Sequence, residues 1–172
     1  MRYLVIDANI AKACKDPAES VSATQSYAFL MAVREKHTDL GVVLNDALYE
    51  EWEKHGNRTF ASWWANMESR SRVRHVGVKQ FRDYRRAVQD VEDEGVRNAM
   101  IKDWHLIELA LEGWHPIASM DEKQRRYVRD LSSTYSLIAA IQWCNPILDP
   151  GWGNWVDGGC EVGIFRVDAA AA

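Results

Sequence analysis

Residues 3–9 read YLVIDAN, a short run of strand-forming apolar residues that ends at the carboxylate of Asp7. A run that is apolar at every position is typical of a strand buried on both faces, as in a parallel sheet. Comparable runs lie at 40–44, 116–119 and 137–143, and helix-like stretches separate them. Strands that alternate with helices predict an α/β fold. We therefore expect a three-layer α/β/α sandwich with a mostly parallel sheet of four to five strands.

The spacing of apolar residues predicts helices in most of the remaining chain. They are expected at 20–36, 47–54, 59–69, 80–91, 96–100, 103–112 and 122–131. Residues 73–78 are ambiguous. We expect one domain at 1–148 that contains a basic helical insert at about 59–94. Residues 149–172, rich in glycine and tryptophan, are expected to form a looping tail with an edge strand near 160–167.

Composition narrows the class of protein. The 172 residues suit a single domain, and 47% hydrophobic with 27% charged residues is ordinary for a globular chain. The net charge is −4, so affinity for nucleic acid requires a local basic patch.

The three cysteines are far apart, which indicates a reducing compartment and no zinc framework. The first seven residues reach a carboxylate too early for a signal peptide, and no apolar run approaches the roughly 20 residues of a membrane span. These features predict a cytoplasmic protein without membrane attachment.

Acidic residues stand where the predicted parallel sheet has its carboxyl edge. Asp7 follows the first strand and Asp121 the third, Glu50 and Glu51 lie early in the helix after the second, and Asp103 opens the helix before the third. Ligand sites of open parallel sheets lie at that edge. Carboxylates that converge repel one another, and oxygen ligands favour Mg²⁺ or Mn²⁺ over zinc. The alternative is that Asp103 and Asp121 only cap helices.

Four motifs in this order resemble the PIN-domain nuclease family. They are LVIDAN at 4–9, VVL at 42–44 leading into LYEEW at 48–52, KDWHLIELAL at 102–111, and IASMDE at 117–122. Each motif alone is weak, but the four together cover residues 3 to about 143 in the family's order and spacing.

The resemblance implies a metal-dependent endoribonuclease whose products carry 5′-phosphate and 3′-hydroxyl ends, without a covalent enzyme intermediate. It implies acidic residues that ligate Mg²⁺ or Mn²⁺, directly or through water: Asp7, Asp103 and Asp121. Glu51 would complete the set or orient the attacking water. We prefer Glu51 because it precedes the apolar Trp52, as the family's glutamate precedes an apolar residue, whereas Glu50 lies about 100° around the helix. Asn9 and Ser119 match polar positions that support the acidic pocket.

A basic segment follows the second predicted strand. Residues 58–86 carry eight basic and two acidic side chains, interleaved with Trp63, Trp64, Phe81 and Tyr84. Arginines beside aromatic residues suit RNA, through phosphate contact and base stacking. The alternative is a solvated helix face whose aromatic residues belong to the core. The RNA contacts expected from this segment are Arg70, Arg72, Arg74, Arg82, Arg85 and Arg86. A second basic stretch, 123–129, follows Asp121 directly.

Other functions stay open at this stage. Asp7 after a first strand is also the nucleophile position of haloacid-dehalogenase-like phosphatases, although those have Asp-x-Asp and this chain has Asn9. A non-catalytic PIN-like scaffold that binds RNA or protein is a further alternative. His105 lacks the second histidine of a helical zinc pair and is interpreted as structural. The resemblance is compatible with a toxin, an RNA-processing or a defence role, and allows an antitoxin protein or a second copy of the chain as partner.

Overall fold

A computed structural model of the chain describes residues 1–35, 39–160 and 163–168. Its centre is a five-stranded sheet in which every strand pair is parallel, with strand order β3-β2-β1-β4-β5. The strands are β1 Arg2–Ile6, β2 Leu40–Leu44, β3 Val73–His75, β4 Ile117–Ala118 and β5 Trp143–Cys144. The predicted α/β fold with a parallel sheet is confirmed.

Helices cover both faces of this sheet. They are α1 Ala8–Ala13, α2 Val21–Glu35, α3 Asp46–His55, α4 Arg58–Ser69, α5 Arg82–Gln89, α6 Glu94–Lys102, α7 Trp104–Gly113, α8 Glu122–Leu131 and α9 Trp152–Asp157, with 3₁₀ turns at Ser136–Ala140 and Gly163–Phe165. Helices α1 to α4 pack together, and so do α5 to α8. If the crossovers between parallel strands are right-handed, as they almost always are, the strand order puts these two groups on opposite faces of the sheet. The predicted helix end at Lys36 lies outside the described residues.

The central strands are apolar because both of their faces are covered. Leu4, Val5 and Ile6 of β1 are fully buried, and so is every side chain of 42–44 in β2. No helix in the described part of the chain combines the length and apolar character that crossing a bilayer requires.

The predicted fourth strand, 137–143, is wrong in its bounds. Residues 136–140 form a 3₁₀ turn, and the strand is confined to Trp143 and Cys144, which pair with Ile117 and Ala118. The run is mostly apolar in sequence, but its side chains are not all buried: Leu137 is 42% exposed, whereas Ile138 is fully buried. A strand buried on both faces requires burial at every position, so only the end of the run joins the sheet.

Residues 59–94 and the tail are integral to the fold. The expected insert supplies α4, the edge strand β3 and α5. The expected loop contains α9, which packs on α2, where the Trp152 and Phe29 rings lie 5.4 Å apart. The Trp155 indole is buried and donates to Gln142 Oε1 at 3.1 Å. The expected edge strand is a single antiparallel bridge between Gln142 and Arg166; residues 161–162 and 169–172 lie outside the described part.

Candidate active site

The sheet has a topological switch point between β1 and β4. The chain runs from β1 outward to β2 and β3, and then returns to the other side of β1 for β4 and β5. Ligand crevices of open α/β sheets lie outside the carboxyl ends of the strands at such a point. Asp7 directly follows β1, and Ser119 and Asp121 follow β4, so the switch point has a carboxylate on each side.

A hydrogen-bond network holds Asp7 in place. Ser119 Oγ donates to Asp7 Oδ2 at 2.6 Å, and Asn9 Nδ2 donates to the same oxygen at 2.8 Å. Asn9 N donates to Asp7 Oδ1 at 3.1 Å. Asn9 also accepts from Met120 N at 3.2 Å, and Ser119 Oγ accepts from Asp121 N at 3.0 Å. The side chains of Asn9 and Ser119 therefore join the carboxyl ends of β1 and β4 around one carboxylate.

The capping roles of the acids differ. Asp7 begins α1, and Asp121 begins α8 by accepting from Gln124 N at 2.8 Å. Asp103 begins α7, but its carboxylate makes no capping hydrogen bond in the described structure. Capping therefore accounts for one oxygen of Asp121, as the alternative interpretation expected, and not for the carboxylate of Asp103.

The carboxylates act on one another electrostatically. Burial raises the pKa of Asp7 to about 6, and the charges of Asp103 and Glu51 add to this, while hydrogen bonds from Ser119 and Asn9 oppose it. Burial also raises the pKa of Asp103, with Glu51 and Asp121 adding to the shift and Lys102 and His105 opposing it. The structure thus brings Asp7, Glu51, Asp103 and Asp121 into one electrostatic neighbourhood.

Helix α3 positions Glu51 toward this neighbourhood. Asn45 caps the helix by accepting from Leu48 N at 3.0 Å, and the Trp52 indole donates to the Ile6 carbonyl, at the end of β1, at 3.0 Å. Glu51 Oε2 lies 3.6 Å from His105 Nε2, and the His105 side chain lowers the pKa of Glu51. Glu50 is exposed. The charge of Glu51 acts on Asp7 and Asp103, and that of Glu50 is not among the causes of their pKa shifts.

The acidic site contains oxygen atoms of the kind that coordinate a divalent cation. The four acids and the neighbouring Asn9 and Ser119 offer oxygen ligands, which suit Mg²⁺ or Mn²⁺. Within residues 1–35, 39–160 and 163–168, however, no group of three or more His, Cys, Asp or Glu side chains is arranged to hold a metal ion. The residues fit a hard cation in their chemistry, and their carboxylates are not gathered at a common point.

Arg72 is not an RNA contact, contrary to the prediction for this residue. Its side chain is buried, and its guanidinium donates to the carbonyl oxygens of Leu40 at 2.7 Å, Arg34 at 2.7 Å and Val33 at 2.6 Å. These carbonyls lie at the end of α2 and the start of β2. A planar, multi-donor guanidinium suits three acceptors, so Arg72 holds these elements together.

Replacement of Arg72 by methionine is expected to lower the free energy of unfolding by about 2–4 kcal/mol, because buried carbonyls lose their donors. Urea unfolding of R72M beside R86M, an exposed arginine on α5, measures this difference. RNA affinity of the folded R72M protein should stay unchanged. Equal stability of the two variants would contradict the structural role of Arg72.

Arg85 is engaged within the protein as well. It forms a two-bond ion pair with Glu108, with Nε–Oε1 at 2.6 Å and Nη2–Oε2 at 2.7 Å, and its guanidinium lies 4.1 Å from the centre of the Trp104 ring. Glu108 is buried, so the pair is desolvated on one side. This arrangement fixes α5 on α7 beside the acids, and it makes Arg85 a poor phosphate contact.

The other arginines that were predicted to contact RNA are exposed, but they lie on different surfaces of the protein. Arg70, Arg82 and Arg86 are exposed, the latter two on α5. Arg74 is exposed in a pocket with Tyr3 and Pro116, at the amino edge of the sheet opposite the acids. Trp63 and Tyr84 are buried core residues, as the alternative interpretation expected. The segment therefore does not form one continuous basic and aromatic surface.

Sequence reasoning missed two partners at the acidic site. His105 is buried beside Glu51, and Glu108 is the buried partner of Arg85. Neither contact has a signal in local spacing, because each joins helices that are distant in sequence. An acidic residue within the apolar stretch LIELAL was the available indication that Glu108 has a buried partner.

Comparisons with known proteins assign no family. No protein-family model matches the chain, and the comparison with curated proteins gave no significant match.

Proposed function

We propose that this protein is a metal-dependent ribonuclease that hydrolyses RNA phosphodiester bonds. The observation that carries the proposal is the placement of Asp7 and Asp121 at the switch point of the sheet, with Glu51 and Asp103 near enough that charges among these acids help to raise the pKa values of Asp7 and Asp103. Burying several carboxylates together is unfavourable unless a cation or a chemical role compensates it. The resemblance of the four motifs to PIN-domain nucleases supports the same interpretation.

The residues have distinct proposed roles. Asp7, Asp103 and Asp121 hold Mg²⁺ or Mn²⁺, with Asp7 oriented by Ser119 and Asn9. Such a cation polarises a phosphoryl oxygen and lowers the pKa of bound water. Glu51, beside His105, lies where a carboxylate can accept a proton from the attacking water or complete the ligand set.

Incubation of purified protein with single-stranded RNA tests the proposal. Cleavage is expected with Mg²⁺ or Mn²⁺ and should stop with excess chelator, leaving 5′-phosphate ends on the products. The Asp7→Asn protein, purified in parallel, controls for contaminating nuclease. Cleavage that persists in chelator contradicts the metal dependence. RNA binding without cleavage under any divalent cation favours the non-catalytic scaffold.

The second basic stretch offers a phosphate path beside the acids. On α8, immediately after Asp121, Lys123 and Arg126 are exposed, whereas Arg125 is bonded to Asp149 at 2.9 Å. Cations one helical turn from an acidic pocket suit a phosphate next to the scissile one. We therefore propose that the RNA backbone runs along Lys123 and Arg126.

The variant K123Q/R126Q is expected to flatten the salt dependence of RNA binding. For single strands each lost phosphate contact changes the log–log slope by about 0.7, so two contacts change it by roughly 1.4. Fluorescence titration of a short RNA at several salt concentrations, on an Asp7→Asn background, measures the slope. The matched variant R82Q/R86Q removes the same charge from α5. A larger change in R82Q/R86Q would return the path to the basic segment first predicted.

A further inference from the structure

A second pocket lies at the amino edge of the sheet, opposite the acidic site. Its walls are the starts of β1 and β4 and the end of α7, and its volume is about 450 Å³. This volume lies within the range of small-molecule sites. None of the four acids of the candidate active site is among the residues that line the pocket.

The lining of this pocket carries the positive charge of the exposed Arg74, and no Asp or Glu is among the described residues that line it. Arg2 and the His115 ring line it too; burial and the charge of Arg74 lower the pKa of His115, and a neutral imidazole keeps one N–H donor. The chain as a whole has a net charge of −4, so the positive charge of this pocket is a local feature. Such a lining favours an anion.

Trp114 adds an exposed aromatic surface in a strained conformation. It follows the last residue of α7 with φ 54° and ψ 40°, in the left-handed region, and its side chain is 56% exposed. Helix ends commonly place glycine or asparagine in that conformation, because other L residues are strained there. The backbone bonds that end α7 fix this conformation, since Trp114 N and His115 N both donate to the Ala110 carbonyl, but they do not require an indole at this position. A strained, exposed residue is grounds for a functional hypothesis.

The neighbouring rings are fixed beside it. The His115 and Tyr3 rings meet edge to face with centres 5.9 Å apart, and the Arg74 guanidinium lies 5.4 Å from the centre of the Tyr3 ring. A side chain on Gly113 would collide with the His115 imidazole. Tyr3 therefore holds Arg74 and His115 on one wall, and Trp114 lies at the rim.

We propose that this pocket binds a nucleoside phosphate, either free or as one nucleotide of single-stranded RNA. The base stacks on the Trp114 indole, and the phosphate accepts hydrogen bonds from the Arg74 guanidinium and the His115 ring. This site is separate from the acidic one and does not rest on the proposed nuclease activity.

Calorimetric titration tests the proposal with two probes, adenosine 5′-monophosphate and a five-nucleotide single-stranded RNA. Excess chelator is present so that the RNA is not cleaved during the measurement. W114N and R74Q are each expected to weaken binding about fivefold or more, since one loses base stacking and the other a charged phosphate contact. W114F should retain most of the affinity. R82Q, which removes an exposed arginine on α5, should leave it unchanged. Asparagine tolerates the left-handed conformation, so W114N should unfold at the same temperature as the unaltered chain or higher.

The two probes distinguish the sources of the nucleotide. Weakened binding of the mononucleotide in both variants identifies a free-nucleotide site, and weakened binding of the RNA alone identifies a contact with the strand. Equal affinities of the unaltered chain, W114N and R74Q for both probes overturn the proposal. A loss of binding in Asp7→Asn also overturns it, because the ligand would then belong to the acidic site.

Discussion

Replacement of Asp7 by asparagine is expected to lower RNA cleavage by at least about a thousandfold, because it removes the carboxylate at the centre of the acidic site. Asn9 and Ser119 both orient Asp7, which accepts three hydrogen bonds from them. The matched control is Asp46→Asn, an exposed acid at the same edge of the sheet. Initial rates with Mn²⁺ at saturating RNA measure the effect. Near-normal cleavage by Asp7→Asn would remove Asp7 from the proposed mechanism.

The same substitution is expected to stabilise the fold at neutral pH. The pKa of Asp7 is raised from 3.8 to about 6 in the folded chain, so the folded state binds the proton more tightly than the unfolded state. The free energy of unfolding of the unaltered chain therefore falls as the pH rises from about 4 to 6, and it stays lower above that range. Its size is on the order of 1–3 kcal/mol.

Urea unfolding at pH 4.5 and pH 7.5 in chelator measures this linkage. The stability advantage of Asp7→Asn over the unaltered chain should be larger at pH 7.5 than at pH 4.5, whereas Asp46→Asn should show no such trend. An advantage that shrinks with rising pH would mean that Asp7 is stabilised as an ion in the fold.

The second large effect separates two adjacent glutamates. Glu51→Gln is expected to lower the turnover of RNA by about a hundredfold or more, because Glu51 interacts with Asp7, Asp103 and His105. Glu50→Gln should stay within about twofold, because Glu50 is exposed and lies about 100° around the helix. Single-turnover rates of the two variants, which differ by one position and carry the same charge change, give the comparison. If Glu50→Gln is the inactive variant, α3 presents a different face to the substrate.

The strands and the acidic residues that follow them were predictable from sequence because each is a local signal. The uniformly apolar runs at β1 and β2 predict burial on both faces, and in a parallel sheet the residues after the strands share an edge. The apolar run that contains β5 misled the prediction because half of it forms a turn. Local patterns show which residues favour burial, but not the backbone path by which they reach it.

Which arginines are buried or paired, and which are exposed, was not predictable from the sequence for a different reason. Arg72 and Arg86 look alike in a charge count, but Arg72 is buried against three carbonyls and Arg86 is exposed. Whether a guanidinium meets solvent, a carbonyl or a carboxylate depends on which distant elements lie beside it. The ion pair of Arg85 with Glu108 joins α5 to α7 in the same manner. Charge runs therefore indicate nucleic-acid surfaces only after burial and pairing are known.

The order of strands in the sheet has a consequence for synthesis of the protein. Strand β4, which leads into Ser119 and Asp121, pairs with β5, which follows it in the chain: Ser119 N donates to the Cys144 carbonyl at 3.0 Å. A chain emerges from the ribosome amino end first, so β5 and α9 appear after all four acids. A nascent chain thus carries the acids before the backbone that sets their geometry is complete. Assembly of the acidic site is therefore deferred until β5 has been made, which would delay the proposed activity on nearby RNA during translation.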